Sequence, residues 1–296
     1  MNLISASAID VWIAFHDVWM AFHVEWSRGA VEMNSIPACG LLVALLFAAS
    51  ADAQWPERTT GAIPRTRDGK VNLAARAPRT AHGTPDLFGV WQPDPGHDAA
   101  TGFAGILLSR YFLDITAGIN PEEGLFQPWA ATLYKQRQPK DDPTTRCQPV
   151  SVPALDAYPS PFKIIQTPKL IIVLHESNVN FRQIFLDGRR QPRDAQPTWM
   201  GYSVGKWEAD TLVVDSIGFN DQSWLDRRGH PHSESMRVTE RFRRLDFGHL
   251  EISVTIDDPK TYTRPLTFIQ PQMLLPDAEL MEYVCTENEK DVSHFR

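Results

Sequence analysis

Between Phe162 and Cys285 the chain is a succession of short runs in which apolar and polar positions alternate, each closed by turn residues. A period of two marks a strand with one buried face. The runs predict strands over Lys163–Thr167, Leu170–Glu176, Phe181–Leu186, Gly201–Trp207, Thr211–Phe219, Glu234–Leu245, His249–Asp257, Tyr262–Gln270 and Glu279–Cys285, with Asp86–Trp91 as an earlier first strand. Asp187-Gly188-Arg189-Arg190 and Glu208-Ala209-Asp210 have the composition of hairpin turns. Consecutive strands with short connections predict a mostly β, antiparallel meander. This many strands suffices to close a barrel and so remove exposed edges. A two-sheet β-sandwich is the alternative. Only "QPWAATLYKQRQ", from Gln127, has helical spacing, with Pro128 suited to the first turn. It is expected to pack outside the barrel.

One hairpin can be registered from its charges. A three-residue loop at Asp246-Phe247-Gly248, with Gly248 in the left-handed position, pairs Leu245 with His249. Arg243 then faces Glu251 and Arg237 faces Asp257, while Phe242 faces Ile252, Glu240 faces Val254 and Val238 faces Ile256. Opposite charges fall on one face and apolar residues on the other, which a shift by one residue would destroy. Glu240 is thereby placed on the apolar face. If the strand continues back without a bulge, Glu234 and His232 share that face. A carboxylate there costs several kcal/mol unless it is paired, hydrogen-bonded or neutral.

Ahead of the strands, Gly40–Ala49 is an apolar run followed by the small-residue stretch Ala51-Asp52-Ala53. The run is too short to span a bilayer, and with Met33 as the start it has the form of a secretory signal. Residues 1–53 thus divide into an over-early start and a signal peptide over 33–53, with cleavage expected after Ala53. Residues 54–84, rich in Pro, Arg and Thr, predict an extended arm, and 85–296 a single β-barrel domain. Cleavage removes five acids and one base, moving the formal net charge from −7 to −3. Neither value favours nucleic acid or an anionic membrane surface. The mature chain keeps two of the three cysteines, Cys147 and Cys285, and in a secreted or periplasmic protein these are expected to form a disulfide.

The chemistry concentrates in "WLDRRGHPHSE", residues 224–234. An unperturbed imidazole at His232 would carry a proton near neutral pH, and a buried Glu240 or Glu234 would have its pKa raised towards a useful acid or base. Asp226 could orient the imidazole. These four residues are the expected catalytic set, for lyase, hydratase or hydrolase chemistry. Trp199, Tyr202, Asn220, Asp221, Trp224 and Tyr262 are the expected ligand-binding set, for a partly apolar or glycosidic small molecule. No cofactor is expected. As an alternative, His230 and His232, two residues apart, could hold one divalent metal ion. A non-catalytic carrier of a hydrophobic ligand is the other alternative.

The stretches GYSVG (201–205), Trp207-Glu208, Asp210-Thr211-Leu212, Phe219-Asn220-Asp221, Trp224-Leu225-Asp226, the His230/His232 run and Asp257-Asp258-Pro259 resemble a family of exported bacterial proteins of uncharacterised function. That resemblance covers most of Pro85–Lys290 and implies no catalytic residues. Gly89-Val90-Trp91 resembles the Gly-x-Trp of lipocalins, which implies a lipocalin-like barrel of the eight-stranded type around a single ligand cavity.

Overall fold

The structure, a computed structural model, describes residues 63–94, 114–116, 124–177 and 180–285. All belong to the compact unit Thr60–Arg296. The signal peptide, its cleavage site and the start of the arm lie outside the described residues.

Nine strands close into one barrel in chain order. They are β1 (Gly89–Pro93), β2 (Phe162–Gln166), β3 (Leu170–His175), β4 (Asn180–Phe185), β5 (Tyr202–Glu208), β6 (Thr211–Ile217), β7 (Arg237–Arg244), β8 (His249–Asp257) and β9 (Leu266–Leu274). Closure comes from β1, which pairs with β2 and β9 through Trp91↔Phe162 and Trp91↔Leu274. The β7–β8 hairpin has the register its charges predict, with Arg243↔Glu251, Glu240↔Val254 and Arg237↔Asp257. Gly248, however, is not left-handed. The arm lies against it, and a Cβ there would stand 2.5 Å from the Leu73 Cβ. Glycine serves that turn by making room rather than by its backbone freedom.

Three expectations change. A closed ring with an odd number of strands cannot alternate direction throughout, so one neighbouring pair must run parallel. That pair is β4–β5, joined at Ile184↔Ser203 and Phe185↔Val204. Parallel strands need a long return connection, which is Leu186–Gly201; Asp187–Arg190 is therefore a bend in a crossover and not a hairpin turn. Second, Glu279–Cys285 forms no strand, and the last strand is displaced to Leu266–Leu274 because Asp258–Tyr262 folds into a turn of its own, with Tyr262 N–H donating to Asp258 O. Third, β7 starts at Arg237. The turn closed by Met236 N–H to Ser233 O interrupts the alternation and leaves Glu234 exposed instead of on the inner face.

Both ends of the barrel are occupied. At one end Trp91 is fully buried, and Arg244 stacks over its ring at 4.9 Å. At the other, residues 152–157 enter the barrel as a plug. Gln270 and Gln272, inward on β9, donate to Pro153 O (2.8 Å) and Asp156 O (3.0 Å). The interior around the plug is packed with apolar side chains such as Ile164, Ile171, Val214, Val238 and Val254. The one described α-helix, α1 (Pro128–Gln136), packs outside, as expected, with Pro128 in its first turn. The cysteines meet as predicted: Cys147 and Cys285 form a disulfide that joins the segment before β2 to the tail after β9. Among the described residues, no helix is long and apolar enough to cross a membrane.

Candidate functional site

Two groups of buried polar residues stand out, one inside the barrel and one in the layer above it. Inside, alternation on β4 points Arg182 inward. Its Nη1 donates to Glu240 Oε1 at 2.9 Å and its Nη2 to Oε2, while Nε reaches Ser203 Oγ at 3.0 Å and Nη2 reaches Ser216 Oγ at 2.8 Å. Glu240 is thus on the inner face as registered, but its carboxylate is held by a guanidinium and does not meet His232. Asp156 of the plug faces this pair. Burial, and then the Glu240 charge, push its carboxyl up to about 7, with Arg182 pulling it back. His175 Nε2 stands 3.6 Å from Asp156 Oδ1 and has no hydrogen-bond partner. Burial, and then Arg182, lower that imidazole to about 3.

The outer layer is built by the β6–β7 connection. Gly229, at φ +87°, closes a turn with its N–H on Asp226 O at 3.2 Å. That turn brings both Asp226 oxygens onto the following residues. Oδ1 accepts the Arg228 N–H (3.0 Å) and Oδ2 the Ile115 N–H (3.1 Å), and Oδ2 also lies 2.6 Å from His230 Nδ1. Asp226 therefore orients His230 and not His232. The His230 ring stacks on Tyr134 of α1, with centroids 4.6 Å apart, and on Phe126. Tyr262 is buried with its hydroxyl donating to Pro231 O at 2.7 Å, and burial raises its pKa well above the usual value.

His232 has a different partner. Its Nε2 lies 2.8 Å from Ser223 Oγ, and its buried Nδ1 makes no hydrogen bond. Burial lowers its pKa to about 4, opposed by the contact with the Ser233 backbone and by the Asp258 carboxylate. Asp258 in turn accepts from the Ser233 N–H and hydroxyl and from Thr261 Oγ1.

Beside this pair runs an open cleft of about 630 Å³ between α1 with the turns that follow it and the segments carrying Trp199 and Asp221–Trp224. Trp199 is brought there by an isolated parallel bridge, Thr198↔Phe219. Arg137 stacks over Trp224 at 5.2 Å and donates to Gly229 O. Trp224 also lines a narrow crevice of about 20 Å³, together with Ser223, Val150, Ala154 and Tyr158. Of the expected ligand-binding residues, Trp199, Asp221 and Trp224 line the cleft. Asn220 Oδ1 caps the local turn at the Gln222 N–H, Tyr202 packs on Phe185, and Tyr262 is spent on Pro231.

For a metal ion, the structure gathers Asp114, Asp226 and His230, whose ligand atoms lie within 4.8 Å of one another, rather than the two histidines. Those donors are already engaged: Asp226 by the bonds above, and Asp114 by Arg228 Nε at 2.9 Å. The set fits a hydrogen-bonded turn better than a metal ion.

Arg137, Arg146, Ser223, Asp156 and Arg182 do not stand out in the sequence. Arg182 is masked by its neighbours, since Phe181 and Phe185 suggest the opposite inner parity although Phe181 is 59% exposed. No protein-family model, curated protein or solved structure matches this chain.

Proposed function

We propose that this is an exported β-barrel protein that binds a small, partly apolar or glycosidic molecule in the cleft outside the barrel wall. The observation that carries the reading is the convergence of Trp199 and Trp224 on one open cleft with Arg137, Asp221 and Gln136 beside them. Aromatic faces next to a few placed polar groups suit a ring that is apolar on its faces and hydroxylated at its edge. The disulfide supports an oxidising compartment. A catalytic reading is favoured by one further observation, the contact of His232 with Ser223. A neutral imidazole accepting from a hydroxyl is the start of hydrolase chemistry rather than of the carboxylate-assisted proton transfer the sequence suggested.

The test is a titration of mono- and oligosaccharides and aryl glycosides against tryptophan fluorescence and by calorimetry. Trp199→Ala, at a half-buried position, is expected to weaken binding about ten-fold, the loss of about 1.4 kcal/mol of stacking. Unchanged affinity in both Trp199→Ala and Trp224→Ala would remove the cleft from consideration.

A further inference from the structure

We infer that Ser223 and His232 are a nucleophile–base pair that removes a two-carbon acyl group from an O-acylated ring held in the cleft. The inference rests on the cleft reading for the substrate's ring and adds the reaction and the group removed.

Four observations meet at this point. Ser223 Oγ and His232 Nε2 are 2.8 Å apart, the distance at which a base activates a hydroxyl. Both residues are buried, at 1% and 2% exposure, so the pair is shielded from bulk water, and burial keeps the imidazole neutral and able to accept. Ser223 lines the crevice, whose remaining walls are largely apolar. At about 20 Å³ the crevice has room for little more than one water molecule. A space of that size admits only the methyl end of an acyl group whose carbonyl lies beside Ser223, which selects acetyl, and a longer chain meets Val150, Ala154 and Tyr158. Finally, Trp224 lines both cavities, so an ester on a ring against Trp224 lies next to the serine.

The steps balance with water as the only co-reactant. Ser223 Oγ bonds to the carbonyl carbon while its proton passes to His232 Nε2. The tetrahedral intermediate collapses, the bond between the acyl carbon and the sugar oxygen breaks, and that oxygen takes the proton from Nε2. Water then attacks the acyl-serine, giving a proton to Nε2 that returns to Ser223 Oγ as acetic acid leaves, to ionise in solvent. The imidazolium formed twice in this cycle is favoured by the buried Asp258 carboxylate, whose charge already acts on His232.

The experiment uses the full chain, exported with its disulfide intact and treated with diethyl 4-nitrophenyl phosphate. Intact mass and peptide mapping should show one phosphoryl adduct, on Ser223, absent in Ser223→Ala and formed about a hundred-fold more slowly in His232→Gln. 4-Nitrophenyl acetate should be cleaved and the hexanoate not. If Ser223→Ala fails to fold, the wild-type peptide map decides the site alone. No adduct on Ser223, an unchanged rate in folded His232→Gln, or equal cleavage of hexanoate would overturn the inference. Glycoside binding without an adduct would sink the acyl transfer alone. An adduct without glycoside binding would sink the cleft reading and leave the pair.

Discussion

Replacing Glu240 by Gln removes the carboxylate that both terminal guanidinium nitrogens of Arg182 reach inside the barrel. Breaking a buried pair from one side costs about 3–5 kcal/mol. Arg243→Ala on the outer face, where Arg243 and Glu251 are 3.8 Å apart and partly solvated, should cost less than about 1 kcal/mol. Urea unfolding of the two variants checks the contrast, and similar losses would mean that the inner pair is not desolvated as described. The same cluster sets a pH dependence. Asp156, raised to about 7 from 3.8, holds a proton that the unfolded chain releases. Its contribution is full below about pH 4 and falls by about 1.4 kcal/mol per pH unit as pH rises towards 7. His175 and His232 act oppositely. Lowered from 6.5 to about 3 and about 4, they cost stability as pH falls through that window. Asp156→Asn deletes only the first effect. The variant should match the parent at pH 4 and exceed it in unfolding free energy at pH 8, whereas an equal shift at both pH values would contradict a buried, titrating Asp156.

At the scale of elements, the register of the β7–β8 hairpin is legible in the sequence because a shift by one residue puts arginines against isoleucine and valine. Its turn holds a glycine for a reason other than a left-handed backbone. Gly248 is required by the arm that crosses it, where Phe247 and Gly248 donate to Ala75 O and Leu73 O, each at 2.7 Å. Gly248→Ala should therefore cost about 1–3 kcal/mol through overlap with Leu73. In a Leu73→Gly background, which removes the overlapping Cβ, the same change should cost markedly less. Strictly additive losses in this double-mutant cycle would show that the arm does not rest there. On β4 the reading by parity fails, because Phe181 is exposed while Arg182 is buried against Glu240, so a strand whose inner residue is charged looks inverted. Glu234 departs from the inner face for a related reason. Alternation continues in the letters, but the backbone leaves the sheet at the Ser233–Met236 turn.

For the whole molecule, the Cys147–Cys285 link closes a loop across a sequence separation of 138 residues, over most of the barrel. The chain-entropy argument gives an upper figure of about 5 kcal/mol for such a loop. Reduction should lower the melting temperature by many degrees, and intact mass should rise by two hydrogens; no mass change would mean the thiols were free. Strand alternation, the helix behind Pro128, the pairing of two cysteines and the inner position of Glu240 were determined by the sequence alone, since each depends on neighbours within one element or on a count. The parallel β4–β5 pair, the plug with Asp156, the partnership of Arg182 with Glu240, the contact of Ser223 with His232 and the cleft between α1 and Trp199 were decided only by the tertiary structure. Closing an odd ring is a property of all nine strands together. The contacts in the site join residues from separate loops and strands, which no periodicity relates and which only the packing of the closed barrel brings within hydrogen-bonding distance.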